Sequence, residues 1–314
     1  MKKGLKMGNS NNYIEYINRN AQTQSQAAFV NDCELKYQNK LKLVADKMSE
    51  INGRQIILLA GPSSSGKTTT AKLLSKNLET YSRKVFTISL DDYYKNRADC
   101  ILDENGSPDY ETIYALDLDL LEENLITLIN NGRAEKPVFD FMTGNRSLET
   151  QKIEIDNDDF VIVEGLHALN PLITRHLPQQ DVTKIFVNLN SRIYNKDGKI
   201  ILNKRNMRFV RRMVRDYKFR NSNVENTLKL WQKVTQGEDK YLFPFQDAAD
   251  FKINSLHLYE PCVFRDRAVE LLSGIDESSE YFDYCKRLSD SIKKFSVVDN
   301  NFIPKTSLLR EFIG

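Results

Sequence analysis

Short strand-like segments alternate with stretches of helical spacing along most of the chain. The strand-like segments, rich in bulky apolar residues, lie at 55–59, 84–89, 160–163, 184–187 and 251–253. Runs that are apolar throughout are typical of strands buried on both faces of a parallel sheet. In between, apolar residues return every three or four positions, which predicts helices over 31–50, 69–78, 117–131, 208–219 and 224–236. The alternation predicts an α/β fold with a mainly parallel sheet flanked by helices.

This pattern also suggests how the chain is organised. Residues 8–26 are rich in Asn, Gln and Ser, so we expect residues 1–30 to form a mobile arm. The main domain is expected over 31–275, beginning with a helix. The segment 195–199 has turn composition and precedes a basic helix, which predicts a lid near 190–222. We expect a further helix and an ordered tail over 276–314.

The overall composition excludes several protein classes. The 314 residues are 40% hydrophobic and 28% charged, as in ordinary globular proteins, and no apolar run has the length of a membrane span. The net charge of +2 gives no global reason to expect a nucleic acid or a membrane as partner. The four cysteines are far apart and form no C-x-x-C pair, and no apolar h-region follows the basic start, so we expect no signal peptide. We therefore expect a cytoplasmic location.

The most informative motif lies directly after the first strand. Residues 61–68 fit G-x-x-x-x-G-K-[ST], the phosphate-binding P-loop, and they lead from a strand into a helix. Backbone N–H groups at a helix N-terminus attract an anion. Lys67, expected to be catalytic, should reach the β- and γ-phosphates of ATP, and the Thr68 hydroxyl should bind Mg²⁺. The residues expected to surround the ATP phosphates here are Gly61, Ser63, Ser64, Ser65, Gly66, Lys67, Thr68 and Thr69.

Two acidic residues follow other strands of the predicted sheet. In open α/β sheets, ligands bind outside the carboxyl ends of the strands. Asp91 follows the second strand and could accept a proton from an attacking hydroxyl or hold Mg²⁺, although a helix cap would use the same residue type. Glu164 ends the strand 160–163 as the acid of a Walker B element does, which suggests a role near Mg²⁺.

A basic cluster occupies one face of a predicted helix. Four arginines are spaced i, i+3, i+4 and i+7, namely Arg208, Arg211, Arg212 and Arg215. Such a face repels itself unless an anion or an acidic partner faces it. It could be a lid that closes over a transferring phosphate, an RNA backbone footprint or a solvated basic surface. The near-neutral chain with a local cluster favours the lid.

Five motifs in order make the chain resemble the phosphoribulokinase/uridine kinase family of P-loop kinases, and within it the bacterial nucleoside kinases. The motifs are residues 61–68, 89–94 (Ser-Leu-Asp-Asp-Tyr-Tyr), 137–141 (Pro-Val-Phe-Asp-Phe), 163–165 (Val-Glu-Gly) and 211–216 (Arg-Arg-Met-Val-Arg-Asp). Because too few residues precede the predicted helix at 31–50, we expect this chain to lack the extra N-terminal domains that many of those kinases carry.

The resemblance implies roles for the matching residues. Asp91 matches the catalytic acid that activates the 5′-hydroxyl of a nucleoside, with Tyr94 beside it. Glu111 falls where uridine kinases carry an Asp that binds the ribose, and Phe139 lies in the base-reading stretch. Arg212 matches a ribose or phosphate contact. Arg215, expected to be catalytic, and Arg220 match lid arginines that grip the ATP phosphates. Thr68, Glu164 and Asp91 would surround Mg²⁺.

Two departures from the family pattern concern the base of the substrate. Uridine kinases read the pyrimidine with a Tyr and a His, whereas this chain has Phe139 and Gly144 at those positions. An unpaired polar edge on a buried base costs about 1–3 kcal/mol per group. Ser222 also stands where the family often has a further lid Arg.

Together these features predict an ATP- and Mg²⁺-dependent kinase that phosphorylates a nucleoside-like small molecule. A phosphoribulokinase-like sugar-phosphate kinase is an alternative, although no extra basic cluster for a second phosphate occurs between 91 and 146. A nucleotide-gated RNA-binding or regulatory protein is another, and the combination of Asp91 with Glu164 argues against it. A GTPase is disfavoured because no N-K-x-D motif follows a strand. We expect neither a membrane nor a nucleic acid as partner, and a homo-oligomer remains open.

Overall fold

The computed structural model describes residues 12–22, 25–102, 106 and 108–314. Its helices are α1 to α10, which span Ile14–Gln22, Gln26–Ser49, Lys67–Glu79, Leu118–Asn131, Pro171–Thr174, Lys204–Arg220, Val224–Tyr241, Glu260–Ser273, Phe282–Ile292 and Arg310–Ile313. Its strands are β1 to β9, which span Gln55–Ala60, Val85–Ser89, Arg133–Asp140, Asn145–Glu154, Phe160–Gly165, Val182–Asn188, Ile193–Tyr194, Ile200–Leu202 and Phe251–Asn254. Every strand and helix expected from the spacing is present, with ends that differ by a few residues.

The central sheet has five strands in the order β2-β5-β1-β6-β9. The pairs β1–β5, β1–β6 and β2–β5 are parallel, which confirms the predicted fold class. Every residue of β1 and of β5 is buried, because helices cover both faces of the sheet and leave no polar face. Adjacent strands β2, β5 and β1 therefore bring their carboxyl ends, and the loops after them, to one edge.

Helix α4 shows how local sequence sets the boundaries of an element. The Asp117 side chain accepts a hydrogen bond from the Leu120 amide at 3.2 Å and caps the first turn. Gly132 ends the helix at a φ of +73°, in the left-handed region that favours glycine. The helix buries Leu121, Leu125 and Leu128 in the core beneath the sheet.

The chain divides into two compact units. One contains the described residues up to Asn39 together with Leu189–Trp231 and Asn254–Gly314, and the other contains Lys40–Asn188 and Gln232–Ile253. The five-stranded sheet lies almost entirely in the second unit, whereas α6, the arginine helix, lies in the first. The domain boundaries suggested by the sequence remain predictions.

The N-terminal segment differs from its predicted form. The part of the expected arm over Ile14–Gln22 is a helix that buries Ile14, Ile17 and Ala21. These residues recur at i, i+3 and i+7, and this apolar stripe outweighs the many Asn and Gln residues around it. Helix α2 likewise begins at Gln26 rather than near residue 31. The part of the arm before residue 12 lies outside the described residues.

Two short hairpins complete the fold. Strands β7 and β8 flank the turn predicted at 195–199. The longer hairpin of β3 and β4 was not predicted, because it packs one face only and lacks a continuous apolar run. Within the described part of the chain, no helix has the length and apolar character needed to cross a membrane.

Candidate active site

The loop of residues 61–68 joins β1 to α3 in the manner the sequence predicted. A Cβ on Gly61 would lie 2.2 Å from the Val187 carbonyl oxygen, so only glycine lets the loop pass this close to β6. Ser64 and Gly66 have φ values of +58° and +85°, which turn the chain tightly before α3 begins at Lys67. The loop therefore leads straight into a helix N-terminus, where backbone amides favour an anion. The predicted ATP-phosphate residues of this motif all lie in this loop or in the first turn of α3.

Thr68 and Glu164 meet at the edge of the sheet. The Thr68 hydroxyl donates a hydrogen bond to Glu164 Oε1 at 3.2 Å. Glu164 is buried, and its register opposite Leu59 and Ser89 places it between the ends of β1 and β2. A hydroxyl and a carboxylate oxygen in contact form a donor set that fits Mg²⁺, which usually takes one or two carboxylates together with substrate phosphates and water.

Asp91 lies just beyond the end of β2, the strand next to β5. It follows β2 by two residues, and its amide donates to the Ser89 Oγ at 3.3 Å. A Cβ on Gly165 would lie 2.7 Å from Leu90 Cβ, so glycine there allows Leu90 to pack beside β5. The Asp91 side chain is exposed at this edge.

Asp92 differs from its neighbour although the sequence presents the two residues as a pair. Its carboxylate accepts a hydrogen bond from Lys136 Nζ at 2.6 Å, and both side chains are largely buried. Asp92 therefore ties β3 to the segment that carries Asp91. Of the two adjacent acids, Asp92 is therefore held in an ion pair and Asp91 is exposed to solvent.

Lys67 contacts the loop that it follows. Its Nζ donates to the Pro62 carbonyl at 3.4 Å, so the half-buried side chain curls over the P-loop. A lysine held over the loop by one long bond, with no ion pair to any residue the structure describes, can turn toward a phosphate. This placement is compatible with the predicted phosphate contact.

Four residues predicted to contact the acceptor lie close to one another. The Tyr94 hydroxyl donates to the Tyr110 carbonyl at 3.1 Å, and its ring lies 5.6 Å from that of Phe139. Burial raises the pKa of Tyr94 well above its ordinary value, and the nearby carboxylates of Asp91 and Glu111 raise it further. Tyr94 thus lies within electrostatic range of both acids and against Phe139, which is itself buried.

The β3–β4 hairpin explains one departure from the uridine kinase pattern. Gly144 has a φ of +70° in the turn after β3, and its amide donates to the Asp140 carbonyl at 2.8 Å. A side chain at this left-handed position would be strained. On β4, Arg146 bonds the Tyr93 and Tyr94 carbonyls at 3.0 and 2.9 Å and so fixes the hairpin to the Asp91 segment.

Two further residues near this edge were not assigned a site role from the sequence. Glu238 of α7 is completely buried, and its Oε1 accepts a hydrogen bond from the Ser63 amide at 2.7 Å. His167 follows β5, lies 5.9 Å from the Tyr241 ring, and has its pKa lowered to about 4 by burial. Neither belongs to a spacing pattern, so only the folded chain identifies them. No group of three or more His, Cys, Asp and Glu side chains that could hold a metal ion occurs among the described residues.

Two of the cations on the arginine helix are almost completely buried within the protein. Arg211 is completely buried and pairs with Glu260, with 2.7 Å between Nη2 and Oε2. Arg208 is also buried, and its guanidinium lies 5.1 Å from the centroid of the Trp231 ring. Buried guanidinium groups are inaccessible to an RNA backbone or to bulk water. The structure thus contradicts both the RNA footprint and the solvated surface for these two residues.

The three arginines with predicted substrate roles share one carboxylate. Asp216 lies 3.3 Å from Arg212 Nε, 2.7 Å from Arg215 Nη2 and 3.5 Å from Arg220 Nε. Asp216 is buried, whereas Arg220 is exposed. The acidic partners that the sequence required for this helix are therefore Asp216 and Glu260, within the same compact unit. Contact of these arginines with phosphates stays a prediction.

Comparison with known proteins identifies the family of this chain. The family model described as Phosphoribulokinase / Uridine kinase family matches residues 56–259. A uridine kinase of Staphylococcus haemolyticus is 34% identical over 199 residues, which cover 63% of this chain and 86% of the relative. A uridine kinase of Staphylococcus epidermidis is 33% identical over 204 residues, which cover 65% and 88%.

A solved structure described as a possible uridine kinase from Bacillus stearothermophilus overlaps with a TM-score of 0.49 and 19% identity. The overlap covers 69% of this chain and 99% of that one. The match to the family model extends over more than half of the sequence, from β1 to the residue before α8. The chain therefore belongs to the Phosphoribulokinase / Uridine kinase family of ATP-dependent kinases.

Proposed function

We propose that this kinase transfers the γ-phosphoryl group of ATP to a hydroxyl, most simply the 5′-hydroxyl, of a nucleoside or nucleoside-like substrate. The observation that carries the proposal is the meeting of three elements at one sheet edge. The P-loop and Thr68 lie after β1, Glu164 is the last but one residue of β5 and contacts Thr68, and Asp91 lies exposed after β2.

Each residue has a distinct part in the proposed reaction. The amides of the P-loop and Lys67 would hold the phosphates, and Thr68 and Glu164 would hold Mg²⁺. When bound, Mg²⁺ neutralises charge on the phosphate oxygens. The oxygen of the acceptor hydroxyl would bond to the γ-phosphorus of ATP while the bond from that phosphorus to the ADP oxygen breaks. Asp91 would accept the proton that the hydroxyl loses. Catalysis would come mostly from positioning and charge stabilisation.

The acceptor would lie between Asp91 and Glu111. Glu111 would bind the ribose hydroxyls, while Tyr94 and Phe139 would form an aromatic wall against the base. Phe139 and the side-chain-free Gly144 leave this wall apolar, which supports a base other than uracil or a loosely read base. Arg212, Arg215 and Arg220 would act as the lid that grips the phosphates. The cytoplasmic location stays a prediction.

A screen for ADP release tests the proposal directly. Purified protein with MgATP would be offered the common ribo- and deoxyribonucleosides and, in parallel, ribulose 5-phosphate, fructose and glycerate. We expect acceptor-dependent ADP release with at least one nucleoside, and phosphate on its 5′-oxygen by ³¹P NMR. The Lys67→Ala variant serves as the inactive control, with a loss of about 10²–10³ in turnover expected from removal of one charge-stabilising group. Turnover with sugars or sugar phosphates alone would reject the nucleoside assignment.

A further inference from the structure

A carboxylate from helix α7 holds one of the P-loop amides. Glu238 has no exposed surface, and its Oε1 accepts the Ser63 N–H at 2.7 Å. Burying a carboxylate costs several kcal/mol unless good hydrogen bonds compensate for the lost water. The short bond from Ser63 is one such compensation. The hydrogen bonding of the buried Glu238 therefore depends on the conformation of the P-loop at Ser63.

The P-loop has a shape that needs support. Ser64, directly after Ser63, has a φ of +58°, and left-handed backbone at a residue other than glycine costs about 1–3 kcal/mol. Within the loop, the Ser65 amide donates to the Pro62 carbonyl at 3.1 Å. The Glu238 bond fixes the amide on the other side of Ser64, from a helix outside the loop. The two bonds thus flank the strained residue.

The charge of Glu238 sets two roles against each other. A carboxylate near bound triphosphate repels it, which would weaken ATP binding. A carboxylate that fixes the Ser63 amide instead keeps the following amides turned toward the phosphates, which would strengthen binding. The full burial of Glu238 and its engagement with the backbone favour the second role, because a preformed loop pays less ordering entropy on binding.

We propose that Glu238 is a positioning residue for the ATP phosphates, acting through the Ser63 amide. The inference rests on the proposed function only in that the P-loop binds MgATP. It does not depend on the identity of the acceptor. It also assigns to α7 a part in donor binding that neither the P-loop motif nor the arginine helix provides.

The test measures MgATP binding by isothermal titration calorimetry on the full chain. In Glu238→Ala the Ser63 amide loses a charged acceptor, and we expect Kd for MgATP to rise about ten- to a hundredfold. In Glu238→Gln the amide oxygen still accepts the bond, so we expect a rise of less than about fivefold. Asp239→Ala is the matched control, because it removes the same charge from the next, exposed residue of α7. We expect its Kd to be unchanged.

Steady-state kinetics separate positioning from general damage. With any acceptor found in the screen, Glu238→Ala should raise KM for ATP while KM for the acceptor stays within about twofold. Thermal unfolding identifies a variant that fails to fold. If Glu238→Ala does not fold, Glu238→Asp, which shortens the reach by one methylene, replaces it with the same expected rise in Kd.

Three results would overturn the inference. One is MgATP binding in Glu238→Ala that is as tight as in the wild type or tighter, which would mean that the carboxylate competes with phosphate or has no part in binding. Another is an equal loss in Glu238→Gln, which would assign the effect to charge rather than to the hydrogen bond. The third is a wild-type chain that does not bind MgATP. If the wild-type chain binds MgATP but phosphorylates no nucleoside, the proposed acceptor is wrong. The role of Glu238 is then still decided by the Kd values for MgATP.

Discussion

The sheet edge and the arginine helix both carry charged residues with predicted roles, but they hold them by different means. At the sheet edge the backbone does most of the positioning. Glu164 ends a buried strand, Asp91 follows the next one, and the P-loop turns on Gly61 and Gly66. On α6 the side chains position one another, through the buried carboxylates of Glu260 and Asp216.

This difference shows how much a motif can reveal. A residue placed by strand register has the same location in any chain with that register, so its role can be inferred from spacing. A residue placed by a buried counter-charge depends on a partner elsewhere in the sequence. Four arginines with one helical spacing therefore have three environments, an ion pair with Glu260, a ring contact with Trp231 and the shared carboxylate of Asp216.

The largest effect is expected at the sheet edge. Asp91→Asn keeps the shape of the side chain but removes the proton acceptor, so turnover should fall by about 10²–10⁴ with Kd for MgATP little changed. Because Asp91 is exposed, the free energy of unfolding should not fall. Single-turnover kinetics and calorimetry on the same variant test both points. A collapse of MgATP binding would make Asp91 a metal ligand rather than a base.

The second prediction compares two arginines of α6. Arg211→Ala leaves Glu260 buried without its partner and should lower the free energy of unfolding by about 3–5 kcal/mol. Arg215→Ala should cost less than about 1 kcal/mol, because Asp216 keeps Arg212 and Arg220 nearby.

Kinetics complete the comparison. Arg215→Ala should lower kcat more than it raises KM, since a lid contact is made mainly in the transition state. Arg215→Lys should restore only part of the rate, because lysine cannot make the bidentate contact. Urea unfolding and initial rates measure the two quantities. Equal losses of stability in Arg211→Ala and Arg215→Ala would show that the helix is a single structural cluster.

A smaller loss of stability is expected on acidification. It tests whether a buried side chain near the sheet edge, His167, also affects the free energy of unfolding. The pKa of His167 is lowered to about 4, so between pH 6.5 and 4 the unfolded chain binds a proton that the native chain does not. Stability is therefore fully present above about pH 6.5 and is lost as the pH falls. From pH 7 to pH 5 the loss from this residue should be about 2 kcal/mol.

Urea unfolding at pH 7 and pH 5, in the wild type and in His167→Asn, measures how much of the stability loss comes from His167. Burial also lowers the pKa of His257, but that residue is present in both proteins and its contribution cancels. We expect the variant to lose less stability on acidification than the wild type. An identical pH dependence in both proteins would mean that His167 titrates normally.

The smallest effect is expected at Gly237 of α7. A Cβ there would lie 2.8 Å from Glu111 Cβ and 3.0 Å from its Oε2, so alanine should displace the residue proposed to bind the ribose. We expect Gly237→Ala to raise KM for the acceptor several-fold while Kd for MgATP stays constant. Alanine favours a helix over glycine by about 1 kcal/mol, but the close approach to Glu111 Cβ costs stability, so the two effects on the free energy of unfolding oppose each other. An unchanged acceptor KM would argue against a role for Glu111.

Much of this protein follows from the sequence alone. Strands β1 and β5 are apolar over 56–60 and 160–163 because helices cover both faces, and this pattern already indicates a parallel sheet. The P-loop, Glu164 and Asp91 follow such strands, so their approach to one edge could be predicted from the order of elements. The contact between Thr68 and Glu164 agrees with that prediction.

Other features were decided only by the tertiary structure. Helix α1 is stabilised by an apolar stripe within an Asn- and Gln-rich segment, and the β3–β4 hairpin is fixed by Arg146 and Lys136 rather than by its own pattern. Asp92 and Glu238 acquire their partners from segments far away in the chain. Local spacing determines which face or strand end a residue occupies. A buried charge is destabilising unless a partner of opposite charge or a hydrogen-bond donor compensates for the lost water. For Asp92 and Glu238 that partner lies in a distant segment, so only the packing of the folded chain brings the two together.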